Sequence, residues 1–181
     1  ALRIKKIGHT GTLDPFATGV LPLAIGPSTR LIQFLDESVK VYEGTIALGR
    51  QTDTGDLMGE VTDEQPVPLL NVGAVQEVLD QFCGEQMQTP PAYSAVKVRG
   101  KPLYKYARAG ESVEVPARKI RVDSIVLSAL RDDELDVRVT CGRGTYVRVL
   151  AQDIGRALGT RGHLSSLRRT VSGPFCIDHA L

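Results

Sequence analysis

The run Gly8-His-Thr-Gly-Thr-Leu-Asp-Pro15 holds an imidazole and one carboxylate between glycines and a proline, and an apolar stretch follows it. Such a loop can set Asp14 on a rigid floor, where a carboxylate has the chemistry of a general base or a nucleophile. The same composition also reads as a turn in which Asp14 caps its own backbone and His9 faces solvent. A second segment, Gly142-Arg-Gly-Thr-Tyr-Val-Arg148, places Tyr146 and Arg148 two residues apart after a strand. Extended backbone would put the pair on one face, and a helix would part them. Tyr146 can equally be core and Arg148 a surface cation. Tyr42 sits in an alternating segment and reads as half-buried packing.

Other familiar chemistry is missing from the sequence. There is no Gly-Lys-Ser/Thr phosphate loop, Gly142-Arg-Gly144 lacks the third glycine of a dinucleotide fingerprint, and no Gly-x-Ser-x-Gly elbow occurs. His9, His163 and His179 have no i, i+4 partner, which argues against a histidine zinc site.

The elements that must position these residues follow from pattern. Gly19 to Ile25 is apolar and predicts a short buried strand, then a helix capped by Ser28 or Thr29 and running through Leu35. Lys40 to Leu48 alternates as a strand, and Gln51 to Gly59 has turn composition. Asn71 should cap a helix with Val72, Val75, Val78, Leu79 and Phe82 at helical spacing. Gln88 to Val98 is extended around two prolines, and Leu103 to Arg108 is a short helix stopped by Gly110. Strands are expected over Lys119 to Leu127 and Leu135 to Cys141, a helix over Thr145 to Leu158, and a final strand near Leu164 to Val171. Helices and strands mix without a regular β-α-β beat, so the fold class is α+β with a mixed, largely antiparallel sheet flanked by helices. No linker or repeat divides residues 1–181, which are expected to form one domain.

Composition fixes the broad class. The chain has 181 residues, 42% of them hydrophobic and 24% charged, enough for a sizeable core and incompatible with disorder. No uncharged apolar run approaches the roughly 18 residues of a membrane span, and the first residues do not show the charged-then-apolar pattern with a small-residue cleavage site. A soluble, cytoplasmic protein is expected, with Cys83, Cys141 and Cys176 as small core thiols rather than a disulfide or metal framework. The net charge of +1 hides an asymmetry. Residues 1–96 carry 6 Lys/Arg against 12 Asp/Glu, and residues 97–169 carry 16 against 8. A cationic stretch of this kind is the footprint of a polyanion binder, nucleic acid above all.

Six segments, taken in order, resemble one family. They are Gly8-His-Thr-Gly-Thr-Leu-Asp-Pro-Phe-Ala-Thr-Gly19; Lys40-Val-Tyr-Glu-Gly44 with Leu48-Gly49; and Thr52-Asp-Thr-Gly-Asp56. Next come Gln88-Thr-Pro-Pro-Ala-Tyr-Ser-Ala-Val-Lys97 with Gly100-Lys-Pro-Leu-Tyr104, then Gly144-Thr-Tyr-Val-Arg148 with Asp153-Ile-Gly155, and Leu167-Arg-Arg169. The family is that of the bacterial tRNA pseudouridine-55 synthases, TruB-like enzymes that isomerise a uridine in the T-loop of transfer RNA. Two of its parts find no match, an N-terminal Lys-Pro-x-Gly-x-Thr-Ser segment and a C-terminal RNA-binding PUA domain, so the sequence is expected to be an excerpt of a longer protein.

The resemblance implies the pseudouridine synthase catalytic fold and a reaction that breaks the C1'–N1 bond of uridine, turns the uracil and rejoins it through C5. It implies no cofactor and no metal. Asp14 matches the catalytic aspartate, Arg148 the arginine that pairs with it, and Tyr42 the tyrosine that stacks on the flipped base. Tyr146 supports the site, Leu167 forms an apolar wall, and His9 fills the space that the flipped base leaves. Whether Asp14 attacks C1', attacks C6 or abstracts the C2' proton stays open, with proton abstraction to a glycal favoured. Lys97, Arg99 and Lys101 are candidates for phosphate contact with a tRNA T-stem-loop, bound by a monomer. The competing readings are a non-catalytic RNA-binding or RNA-chaperone module, and a related synthase acting on guided ribosomal RNA.

Overall fold

Strict alternation of apolar side chains builds the centre of the molecule in the computed structural model, which describes residues 5–35 and 39–180. In chain order, β1 (Ile7–His9) leads to the Asp14 loop, followed by β2 (Thr18–Gly19), β3 (Leu23–Ile25) and a 3-10 helix over Gly26–Phe34. Then come β4 (Val39–Leu48), the hairpin β5 (Arg50–Thr52) and β6 (Val61–Glu64), α1 (Val72–Asp80) and β7 (Gly84–Gln88). A small hairpin, β8 (Lys97–Val98) and β9 (Lys101–Pro102), runs into α2 (Leu103–Arg108). The chain continues through β10 (Arg118–Arg131), β11 (Glu134–Gly142), α3 (Val147–Ala157), β12 (Gly162–Ser172) and β13 (Phe175–Cys176).

Six strands lie in the order β13-β12-β4-β11-β10-β7, every neighbouring pair antiparallel, and β2 adds to β12 in parallel. The α+β class and the largely antiparallel sheet therefore agree with the sequence pattern. In β11, Leu135, Val137, Val139 and Cys141 are all at most 2% exposed and face Ile46, Gly44, Tyr42 and Lys40 of β4. Opposed residues share a face of the sheet. One end of that face is therefore apolar core and the other carries Tyr42 and Lys40.

Val75 and Leu79 of α1 and Leu150, Ala151 and Ile154 of α3 cover the apolar end. Each Val, Leu or Ile side chain buried there contributes roughly 1.5–3 kcal/mol. Asn71 caps α1 as expected, its side chain accepting from the Ala74 amide at 2.9 Å. Helix α3 lies so close to β12 that a Cβ on Gly155 would sit 2.5 Å from the Gly162 nitrogen. Gly19 has φ +103°, and a Cβ there would collide with the Arg169 carbonyl, so only glycine lets β2 lie against β12.

Several elements differ from the sequence expectation. The run from Gly19 to Ile25 is no buried strand, because Pro22 lacks an amide to donate and the run splits into β2 and β3, with Leu23 57% exposed. The following helix is 3-10, its N-cap is Ile25, and neither Ser28 nor Thr29 caps it; Thr29 Oγ1 instead donates to the Gly26 carbonyl. Strand β7 was not expected, since Gly84-Glu-Gln-Met-Gln88 has no apolar alternation; it forms an edge strand held by backbone pairing to β10. Strand β12 is not the last element, as β13 follows it. Only Cys141 is a core thiol, whereas Cys83 is exposed after α1 and Cys176 is half-buried. No helix among the described residues is long and apolar enough to cross a membrane.

Burial pushes the Cys141 thiol up to about 11, so it stays protonated at neutral pH. Iodoacetamide at about pH 8 should therefore alkylate Cys83 in the folded chain and spare Cys141 until denaturant is added. Mass spectrometry of the labelled peptides checks this; equal labelling of both thiols would contradict the packing of β11.

Candidate active site

The site is assembled on the N-terminus of α3. Tyr146 is its N-cap, in extended conformation, and no side chain of its own supplies the cap. The buried amide of Gln88 does the holding: its Nε2 donates to the Tyr146 carbonyl at 3.2 Å, and its Oε1 accepts from the Tyr146 amide at 2.8 Å. This clamp ties the end of β7 to the start of α3 and fixes where residue 148 emerges.

Arg148 is 3% exposed. Removing a guanidinium from water costs several kcal/mol unless its donors are satisfied. Here they are. Nε donates to Asp14 Oδ2 at 3.1 Å and Nη2 to Asp14 Oδ1 at 2.8 Å, a two-pronged pair spanning the chain. Nη1 donates to the Thr54 carbonyl at 2.7 Å and Nη2 also to the Tyr93 carbonyl at 2.9 Å. Asp56 stands behind, its Oδ2 3.7 Å from Nε and its Oδ1 accepting from Thr54 Oγ1 and the Met58 amide. The Asp14 side chain is 30% exposed against 6% for Asp56. Asp14 is therefore the carboxylate that faces outward and Asp56 the one that balances charge from the protein side. The Asp14 carbonyl closes a tight turn with the Ala17 amide at 2.9 Å, while its carboxylate is spent on Arg148 and not on its own backbone.

Asp14 and Arg148 lie on the wall of a cavity of about 740 Å³. Such a volume falls in the ~300–1,000 Å³ range of small-ligand sites. Tyr42, Tyr146 and Leu167 line the same cavity, so five sequence-predicted residues meet in one place. Tyr42 and Leu167 arrive on neighbouring strands, β4 and β12, and Tyr104 and Arg108 of α2 close the rim. Burial raises the Tyr42 hydroxyl above its ordinary value, and the Arg169 guanidinium partly opposes the rise.

The remaining candidates sit apart. His9 is exposed in β1, opposite Leu23, and does not line the cavity. Lys97 and Arg99 are exposed on the β8–β9 hairpin. The Lys101 ammonium is bound to Glu111 at 3.0 Å and lies 4.2 Å from the Tyr106 ring centre. Four residues that hold the site, Asp56, Gln88, Tyr93 and Arg169, were not singled out from sequence. All four lie in matched motifs, which is the one signal available, and two of the contacts that hold Arg148 are made by backbone carbonyls. No group of three or more His, Cys, Asp or Glu side chains among the described residues could hold a metal ion.

Comparison with known proteins bears on this geometry. Residues 1–147 match the family described as TruB family pseudouridylate synthase (N terminal domain), and residues 148–181 match the tRNA pseudouridylate synthase B C-terminal domain. The tRNA pseudouridine synthase B of Psychrobacter cryohalolentis is 50% identical over 177 residues, 98% of this chain and 49% of that protein. The protein of the same name from Burkholderia lata is 51% identical over 180 residues, 99% of this chain and 56% of that one. The chain thus spans about half the length of the curated relatives it matches. Among solved structures, a Cbf5-Nop10-Gar1 complex is similar with TM-score 0.71 and 33% identity, over 97% of this chain and 43% of that one. An H/ACA RNP bound to a substrate RNA containing 2'-deoxyuridine follows with TM-score 0.68 and 28% identity, over 97% and 41%.

The Gln88 clamp makes a prediction about stability. Gln88→Ala leaves the part-buried Tyr146 amide without its acceptor, a loss of about 1 kcal/mol or more. Urea denaturation measures it. A midpoint within error of the parent would show that the clamp does not hold α3 in place.

Proposed function

The chain belongs to the TruB family of pseudouridylate synthases, and we propose that it isomerises a uridine in the T-loop of tRNA to pseudouridine. The observation that carries this reading is the two-pronged Asp14–Arg148 pair on the wall of a cavity that also holds Tyr42. The reaction breaks the C1'–N1 bond, forms a C1'–C5 bond, transfers the C5 hydrogen to solvent and leaves N1 protonated. Nothing is oxidised or reduced.

Each residue has a task set by its geometry. A uracil stacked in a folded loop must be extruded first, at a cost of a few kcal/mol. Tyr42 offers a ring for the extruded base to stack on, and Leu167 and Tyr146 keep water from the cavity walls. Asp14 presents its carboxylate to the ribose, where abstraction of the C2' proton would expel the base and leave a glycal. Arg148 holds that carboxylate in one orientation, since a planar fork fixes both oxygens where a single ammonium would not. Lys97 and Arg99 are proposed phosphate contacts on the exposed hairpin, adding salt-dependent affinity. Lys101 is left out because Glu111 and Tyr106 already occupy its ammonium. His9 is proposed to meet the RNA on the exposed surface of β1, outside the cavity.

The test is tritium release from tRNA and from a T-stem-loop labelled at uracil C5. The parent chain should release tritium from both. RNA binding without release would favour a non-catalytic module, and release only from guided ribosomal RNA would favour the other synthase class.

Asp14→Asn should keep RNA affinity and lose at least about 10⁴-fold in single-turnover rate, the scale on which essential catalytic groups act. A variant within tenfold of the parent would remove Asp14 from the chemistry. Tyr42→Phe should bind RNA within about threefold of the parent while its rate falls by ~10²-fold or more, if the hydroxyl handles the C5 proton. Near-equal single-turnover rates at saturating RNA would leave the ring alone at work.

A further inference from the structure

A second buried arginine stands beside the cavity with no part in the steps above. Arg169 is 0% exposed and is the largest fully buried side chain described. No carboxylate among the described residues pairs with it. Its Nε donates to the Val20 carbonyl at 2.8 Å and its Nη2 to the Gly11 carbonyl at 3.1 Å. Its own carbonyl accepts from the Val20 amide at 2.8 Å. Across the β12–β4 ladder it is opposed to Tyr42, and its positive charge favours the Tyr42 phenolate.

A lone buried cation is an expensive way to join two strands, since backbone carbonyls can be satisfied by backbone amides at far lower cost. What the guanidinium adds is a rigid planar cation that joins three places at once, two by donated hydrogen bonds and one across the ladder. One is Gly11, three residues before Asp14; one is Val20, at the far end of the same loop; the third is the ring that faces Asp14 in the cavity.

We infer that Arg169 is a positioning residue that locks the Tyr42 hydroxyl and the Asp14 loop into one rigid frame, setting the aromatic platform against the carboxylate. This rests on the reading that Asp14 and Tyr42 act on the two halves of one flipped nucleotide.

The groups around Tyr42 make the role measurable. Arg169 faces it from β12, Cys141 from β11 and Asp14 from the loop. Lys40 lies two residues away on its own strand and lines the same cavity, and Arg148 is committed to Asp14. Burial, Cys141 and Asp14 all disfavour the phenolate, and Arg169 opposes all three. A purely architectural Arg169 would be replaceable without consequence for this oxygen.

The experiment is a fluorine NMR titration of protein grown on 3-fluorotyrosine, with the Tyr42 signal assigned by its loss in Tyr42→Phe. Arg169→Gln should reduce the Tyr42 ionisation constant by about tenfold or more, and Arg169→Lys by less, in variants whose circular dichroism matches the parent. An unchanged constant in both would overturn the inference. Should neither variant fold, the Arg169 Nη–H resonances are compared in the parent and Tyr42→Phe, since Nε–H is held by the Val20 carbonyl. Faster exchange in the phenylalanine form supports the contact, and identical exchange overturns it.

Turnover supplies an independent arm. Arg169→Lys should cost about tenfold or more in single-turnover rate in the parent and under about threefold in a Tyr42→Phe background, because coupled residues are not additive. Equal losses in both backgrounds would make Arg169 merely structural and overturn the inference. If the parent itself fails to turn over tRNA, the proposed reaction falls while the titration still decides the role of Arg169.

Discussion

A guanidinium cannot be buried without acceptors, and this constraint on Arg148 organises the site. Its acceptors come from three separate stretches of chain: the Asp14 carboxylate, the Thr54 carbonyl and the Tyr93 carbonyl. Each must arrive at hydrogen-bonding distance or the desolvation cost goes unanswered. The fold can be read as the means of bringing them there. Helix α3 is seated by Gln88, the loop around Asp56 is pinned to β12 by the Leu57 amide on the Leu164 carbonyl at 2.9 Å, and the Asp14 loop is tethered through Val20. Because Asp56 shares the positive charge from behind, Asp14 can stand partly in the cavity with its oxygens aligned.

The sheet register does the rest. Antiparallel pairing of β4 with β12 and β11 puts Tyr42 between Arg169 and Val139, one cation and one apolar wall. A slip of one residue would send Tyr42 to the opposite face and empty the platform. The bulge in β12 between Arg169 and Val171 lies next to this pairing, where an extra residue can re-aim side chains without breaking the ladder.

Alternation in β11 and β4 and the Asn71 cap were plain in the sequence, since burial of one face imposes a period of two and a cap has a local signature. The Gly19 to Ile25 run misled because hydrophobicity was weighed above the effect of Pro22 on pairing. Edge strand β7 was invisible because its pairing is carried by backbone, not by side-chain pattern. At the site, the Asp14–Arg148 pairing followed from resemblance alone; residues 134 apart leave no spacing signal. Arg169 lies in the Leu167-Arg-Arg169 motif, yet its acceptors are two backbone carbonyls and its neighbour across the ladder is Tyr42, none of which a sequence displays. The tetherings by Thr54 and Tyr93 were hidden for the same reason.

The central claim is that the planar fork of Arg148, and not its charge alone, makes Asp14 competent. The most direct measurement is the single-turnover rate of Arg148→Lys at saturating RNA, with binding measured in parallel. Loss of the two-pronged contact should lower the rate by about 10²-fold or more while affinity stays within about threefold, because small displacements of a reacting group carry penalties of that size. A lysine enzyme that turns over at nearly the parental rate would show that charge suffices, and the geometric account of the site would be wrong.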